Sequence, residues 1–553
     1  MLSTMGARFN LVLVFVVYYA ASASTQDTYI TIPLNKSITF ENREIYGGFL
    51  TLNSLSTVKV NFTNINQKLM FIVLQAHSHF HNVTLYATEK LPNSTITGTN
   101  VGLVSFMEPK PNTFYLQNSD VNATFLVYIS VHGYTELDPI PGGCNMELSV
   151  PISPYLVMHT FNDYILVEAA SPSVDVKCSD PNIATLTFYM MYLPEMNFNT
   201  DVYFDGIQKM MTWENIVRYG HKIPESSWKM PRRMLSAYPG TGTIYAVVAT
   251  RFIDNVTMYS IYVPSHTYGC TNVGEDGCGI TDDMFSQLLC AALLFVGAFV
   301  SFFGHRFFKT GMFLAGFSSG VIVSYILIAL ITVVDKPALL AASTISGIFF
   351  GAIWLLFWWL YGIPVIAVLL PSLNLGFLLA AIFYYRLPGH QEYLEENFNF
   401  WSPFVLVMLL TALALVSVTY AANIICCAVL GAYATVLSVD YYLGSNLKFI
   451  VINTIRRAIV PNFSKATLSP PFQLRDLSVT LLWVLLATLG FFFQHWHNRG
   501  RPPFPPPPRN VRPSMPHPAM YYGSITNGRP LERGINATPV PPIANTERTA
   551  LLA

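Results

Sequence analysis

Two patterns of hydrophobic positions divide this chain. Between residues 24 and 283 the apolar residues come in short β-branched and aromatic runs, at 71–77, 125–131, 184–192, 243–250 and 258–263, separated by clusters of Gly, Pro, Asn and Asp. Such runs predict an all-β, sandwich-like region; its length suits two small sandwiches, 24–150 and 151–283, meeting near Pro151 to Pro154. Only 212–219 reads as helical there. From 284 to 494 the pattern changes to long apolar segments, at roughly 284–304, 311–333, 339–360, 363–385, 403–422, 424–444 and 477–494. Each approaches the ~20 residues that a spanning helix needs, so an all-α bundle of seven transmembrane helices is expected. The remainder, 495–553, is Pro-rich, lacks the apolar content of a core and reads as a disordered tail.

Tight turns at 304–310, 361–364 and 420–423 arrange the spans as three hairpins plus a last helix. Gly316-x-x-x-Gly320 and Gly347-x-x-x-Gly351 predict close packing inside the bundle. The loop 445–476 carries Lys448, Arg456, Arg457, Lys465 and Arg475. Phe449, Ile450, Ile452, Ile455 and Ile459 can share one helical face there, the pattern of an amphipathic segment lying on lipid headgroups.

Composition sharpens this picture. The chain is 52% hydrophobic and 11% charged, against about a quarter charged in soluble domains. The formal net charge is zero, so nothing argues for nucleic acid or an acidic partner; the apolar segments make the lipid bilayer the expected partner. Residues 1–23 have the form of a signal peptide, with Arg8, a short apolar run at 11–19 and the small residues Ala21, Ser22 and Ala23. A cleaved signal places the N-terminal region in the lumen, and an odd number of spans then puts the C-terminus in the cytosol. The basic residues of 305–309, with Arg499 and Arg501, agree with this; those of 445–476 do not.

Sequons at Asn35, Asn61, Asn82, Asn93, Asn122 and Asn255 support luminal exposure, and Asn462 is a further one in the loop 445–476. Cys144, Cys178, Cys270 and Cys278 precede the first span, an even number for an oxidising compartment. Of three pairings, the short loops favour Cys144–Cys178 and Cys270–Cys278.

Candidate chemistry is sparse. Pro371, Asn374 and Asp440 are the irregularities within spans, and an ionisable residue there raises a transporter or channel using Asp440. Its place beside Tyr441 and Tyr442 favours a water-accessible helix end or a hydrogen bond to a neighbouring helix. A G-protein-coupled receptor is disfavoured: no acidic-Arg-Tyr triplet follows the third span and no Asn-Pro-x-x-Tyr occurs in the seventh. A zinc hydrolase is disfavoured because Ser301 and His305 can share a helical face, but His495 and His497 diverge and Asp440 lies a membrane thickness away. His305 beside Arg306 reads as a membrane-edge anchor. No enzyme activity, metal or cofactor is expected.

In the tail, Glu547-x-x-x-Leu551-Leu552 fits an acidic dileucine sorting signal and Tyr522-Gly-Ser-Ile525 a tyrosine-based one, both read by clathrin adaptors. They point to plasma-membrane or endolysosomal traffic after passage through the endoplasmic reticulum. Phe504-Pro-Pro-Pro-Pro508 fits a ligand for proline-recognition domains or a stiff spacer.

Five stretches carry a resemblance. They are Asp138-Pro-Ile-Pro-Gly-Gly-Cys-Asn-Met-Glu-Leu148, Val263-Pro-Ser-His-Thr-Tyr-Gly-Cys270, Phe302-Phe-Gly-His-Arg-Phe-Phe-Lys-Thr310, Arg499-Gly-Arg-Pro-Pro-Phe504 and Glu547-Arg-Thr-Ala-Leu-Leu552. In this order they resemble the transmembrane 7 superfamily member 3 family, and the membrane half is similar to the domain shared with transmembrane protein 198. The resemblance implies a non-enzymatic multi-pass protein of cell-survival and protein-homeostasis signalling, including damping of endoplasmic-reticulum stress. It brings no ligand, catalytic residue or transported substrate. The reading that follows is a β-rich region that binds a luminal or extracellular protein or ligand, on a membrane anchor.

Overall fold

The computed structural model describes residues 28–87, 93–108, 113–175, 178, 184–225, 231–271, 278, 284–387 and 392–505. The signal-peptide reading of 1–23 and the tail motifs at Tyr522–Ile525 and Glu547–Leu552 lie outside the described residues.

The first β module packs two sheets. One runs β1 (Thr28–Pro33), β3 (Thr57–Thr63), β8 (Phe114–Gln117), β5 (Val83–Tyr86) and β6 (Thr95–Gly98), with β1 parallel to β3. The other runs β2 (Glu44–Leu52), β9 (Phe125–Tyr134), β4 (Phe71–Ser78) and β7 (Asn100–Phe106). Every residue of β4 is buried, which is why its sequence is a continuous run rather than an alternation.

Among the described residues, the second module has three sheets. β10 (Ile140–Cys144) pairs with β13 (Ser171–Ser173), and β12 (Tyr164–Ala169) lies between β11 (Leu156–Thr160) and β16 (Arg232–Ser236). The third runs β15 (His221–Lys222), β14 (Thr185–Tyr192), β17 (Thr243–Ile253) and β18 (Val256–Ile261), with β19 (Ser265–Thr267) also on β17. Helices α1 (Thr200–Lys209) and α2 (Trp213–Tyr219) cover this sheet, burying Tyr203, Phe204, Ile207 and Ile216 among Ile244, Ala246 and Val248. The α1 helix is unforeseen. Its aromatic residues suit a strand, but the Asn199 side chain caps the Asp201 amide at 2.9 Å and Asp205 pairs with Lys209 one turn on at 2.5 Å.

The two modules interleave. Val150, Tyr155 and Val263 belong to the core of the first module, and β10 reaches past Pro151 to pair with β13. A boundary at Pro151 to Pro154 therefore cuts through contacts rather than between them. His79 crosses the seam, with Nδ1 bonded to Thr200 at 3.1 Å and Nε2 to Tyr268 at 2.7 Å. Cys144–Cys178 and Cys270–Cys278 are disulfides, as the short loops favour.

Among the described residues, seven helices are long and apolar enough to cross a membrane: α3 (Met284–Phe303), α4 (Phe308–Ile331), α5 (Lys336–Tyr361), α6 (Pro364–Arg386), α7 (Asn397–Val416), α8 (Thr419–Leu443) and, after the short α9 (Phe449–Ile459), α10 (Leu474–His497). The packed pairs are α4 with α5, α6 with α7, and α3 with α8, with α10 closing on α8. These are not the hairpins the tight turns suggest, because small residues decide which backbones meet. A Cβ on Gly316 would lie 2.9 Å from the Gly351 Cα, and one on Gly431 of α8 would lie 2.4 Å from the Ser301 amide nitrogen of α3. The last tight turn is also displaced: 420–423 is already helical, and Asn423 is buried.

A methyl group at Gly431 has no flexible side chain to push aside, so α3 and α8 must separate. Gly431→Ala should lower the thermal unfolding midpoint of the detergent-purified chain, by the equivalent of about 1–3 kcal/mol, measured by fluorescence-detected melting.

Candidate functional site

The β modules and the bundle share a core. Met234 and Tyr238 of the second module cluster with Leu378, Tyr384 and Tyr385 of α6, Val436 of α8, and Phe449 and Ile450 of α9. The segment after α9 also extends the β sheet. Thr467 donates its amide to the Met234 carbonyl at 2.9 Å and accepts from the Ser236 amide at 3.1 Å, occupying the open edge of β16.

Arg456 is the polar centre of this junction. It is buried on α9, yet its Nη1 donates to the Ala237 carbonyl at 2.9 Å and the Ser236 hydroxyl at 3.2 Å, and its Nη2 to the Asn162 carbonyl at 3.0 Å. Nε meets the Asp163 carboxylate at 3.3 Å, and the guanidinium lies over the Phe449 ring. Burial pushes its pKa down, opposed by Asp163. Arg457, also buried, donates to the Leu394 and Glu395 carbonyls at 2.7 and 3.1 Å and covers Phe400. The amphipathic segment is therefore a wedge between protein layers, not a helix on headgroups. The basic residues that contradict the charge rule are partly consumed inside the molecule.

A second polar cluster lies beside it. Glu195 of the second module is 3% exposed. Its amide donates to the Gln473 side chain at 3.0 Å, and Gln473 returns a bond to the Leu193 carbonyl at 2.7 Å. Asn446 donates its side chain to Glu195 Oε1 at 2.8 Å and its amide to Asp476 at 2.6 Å. A cleft of about 360 Å³ opens next to it, lined by Met196, Asn197, Phe198, Leu474 and Arg475.

Asp440 anchors the loop that carries Asn446. It is fully buried and accepts from the Ser445 hydroxyl at 2.5 Å and the Lys448 amide at 2.6 Å, with Lys448 Nζ 3.8 Å away. Water does not reach it, and its bonds go to the loop that follows α8 rather than to a neighbouring helix. Asn374 does bond a neighbour, accepting from Ser319 at 2.6 Å and donating to the Ala315 carbonyl at 3.1 Å. Both groups are used in holding backbone together.

At the opposite end, His305 is buried, not an edge anchor. Its amide donates to Gln494 at 2.9 Å, and its Nδ1 meets the Asn423 side chain at 2.8 Å. Phe504 packs on Phe308 at 5.2 Å and on His305 at 6.0 Å, so the aromatic residue of the Phe-Pro-Pro motif is engaged with the bundle. Among the sequons, Asn35, Asn82, Asn93, Asn122, Asn255 and Asn462 are exposed and Asn61 is half-buried. Among the described residues, no group of three or more His, Cys, Asp or Glu is arranged to hold a metal ion. Sequence reading missed Glu195 and Asp476 and named Arg456 only among the basic residues of its loop; the available signal for it was a pair of adjacent arginines on a largely apolar helix.

These features define a class: multi-pass membrane proteins with tandem immunoglobulin-like domains fused to a seven-helix bundle. Family models match over most of the chain: a TM7SF3-like N-terminal immunoglobulin-like domain at 39–132, a TM7SF3-like second immunoglobulin-like domain at 139–273, and a TM7S3/TM198-like domain at 290–495. Transmembrane 7 superfamily member 3 of Mus musculus is 30% identical over 83% of this chain and 84% of its own length. The Homo sapiens protein of that name is 30% identical over 80% of this chain and 81% of its own. The chain belongs to the transmembrane 7 superfamily member 3 family.

Arg456→Met keeps the packing over Phe449 but leaves the buried Ala237 carbonyl and Ser236 hydroxyl without the guanidinium that donates to them. Each buried acceptor left unsatisfied costs about 1–3 kcal/mol, so the variant should unfold at lower temperature and release the β domain to protease first. Arg456→Lys should recover only part of this, because an ammonium cannot span the same acceptors. Thermal melts with timed proteolysis of the purified chain check both.

Proposed function

We propose that this is a non-enzymatic, glycosylated membrane protein whose immunoglobulin-like pair binds a luminal or extracellular protein and whose junction passes the bound state to the bundle. The N-terminus is luminal and the C-terminus cytosolic. The observation that carries the reading is the shared core around Phe449 and Tyr238, with Thr467 on the β16 edge. A domain that needed only tethering would hang on a linker; here a change in the second module must move α9. The output read from the family resemblance is cell survival, through attenuation of endoplasmic-reticulum stress. The tail governs traffic between the endoplasmic reticulum, plasma membrane and endolysosomes through clathrin adaptors. A proline-recognition domain would read the tail only after Phe504 leaves the bundle.

Two measurements test this. Asn255→Gln and Asn462→Gln should each remove one endoglycosidase-sensitive step in gel mobility; Asn462 modified from neither side, with cytosolic labelling of its loop, would overturn the orientation. In stressed cells, the full chain should lower a stress reporter and Arg456→Met should not, at matched expression. Equal protection by residues 284–553 alone would sink the coupling.

A further inference from the structure

Glu195 Oε2 is buried and has no hydrogen-bond donor facing it. Asn446 holds it next to the Asp476 side chain, donating its side-chain amide to Glu195 Oε1 at 2.8 Å and its backbone amide to Asp476 Oδ1 at 2.6 Å. Asp476 already accepts at both oxygens, from the Asn446 amide at 2.6 Å and the Gln473 amide at 3.3 Å. Two carboxyl groups that both accept cannot form a hydrogen bond unless one carries a proton. The charged surroundings do not supply a substitute. Arg475, on the rim, donates to the Leu443 carbonyl at 3.0 Å. Lys448 faces Asp440, and the hydroxyls of Tyr385 and Tyr433 go to the Asn446 and Leu447 carbonyls. The cleft beside Leu474 and Arg475 gives solvent a route to the pair.

We propose that docking of the second immunoglobulin-like module onto the bundle binds one proton, shared by Glu195 and Asp476, so that luminal acidification tightens the junction and alkalinisation loosens it. The luminal side rests on the orientation proposed above; the proton linkage itself does not. The sign follows from the two states. Docked, Glu195 is raised from 4.5 to about 8, by burial first and then by Asp476, against the opposing pull of Asn446 and Arg475. Undocked and exposed, it returns to an ordinary carboxyl value. Between these values the docked state holds the extra proton. The opening equilibrium therefore rises with pH, up to about tenfold per unit.

The test is local hydrogen exchange on the full chain in nanodiscs, with both faces at the same pH, corrected for the pH dependence of chemical exchange. Peptides over 193–198, 444–448 and 473–476 should lose protection by more than tenfold as pH rises from about 5 to about 8. Glu195→Gln keeps an acceptor for Asn446 and donates an amide proton to Asp476, so its protection should stay high and flat. A flat wild type, or a Glu195→Gln profile that follows the wild type, overturns the proposal. If that variant does not fold, the wild type must still show a protonated-carboxyl infrared band that bleaches over the same range, and absence of the band overturns it too. Failure of the glycan mapping with success here would move the proton sensor to the other side of the membrane without removing it.

Discussion

A buried guanidinium dictates much of this architecture. Taking Arg456 out of water is costly unless nearly every N–H finds an acceptor in fixed geometry. Its acceptors come from the turn before β12 and from the end of β16, while the side chain itself belongs to a helix inserted between spans. No single domain could satisfy it. The β modules and the bundle therefore hold one relative position, and the apolar contacts of Tyr238, Phe449 and Phe463 fill in around that polar pin.

The molecule holds two polar seams of opposite acid response. Between the β modules, burial lowers His79 to about 4 and His266 to about 3. The stability these neutral imidazoles contribute is present above the ordinary histidine value and declines as pH falls toward those numbers. At the bundle junction the carboxyl pair behaves the other way. The two pH windows overlap between the ordinary carboxyl and histidine values; there global stability mixes them and a local probe separates them.

What was legible in the sequence is what depends on local pattern. The spans follow from length and apolarity, the strands from runs such as Phe71 to His77, and the disulfides from loop length. What was hidden depends on partners far along the chain. An amphipathic helix looks the same whether its apolar face meets lipid or protein, so its sequence pattern alone places α9 on headgroups. Glu195 is an unremarkable acid until Gln473 and Asp476 are brought to it. The hairpin order failed because turns fix connectivity, while Gly316, Gly351 and Gly431 choose the contacting faces.

The strand-like segment at Thr467 has a consequence for biosynthesis. Tyr238 and the Leu468 carbonyl it bonds are 230 residues apart. At the usual translation speed of about 5–20 residues per second, the β16 edge stays unpaired for on the order of ten to fifty seconds while six spans are made. An open β edge invites pairing with other chains. Assembly of the membrane half thus acts as a checkpoint on the immunoglobulin-like half: until the last loop arrives, the nascent chain displays a sticky edge for folding helpers to hold, and a chain that stalls in insertion remains recognisable as unfinished.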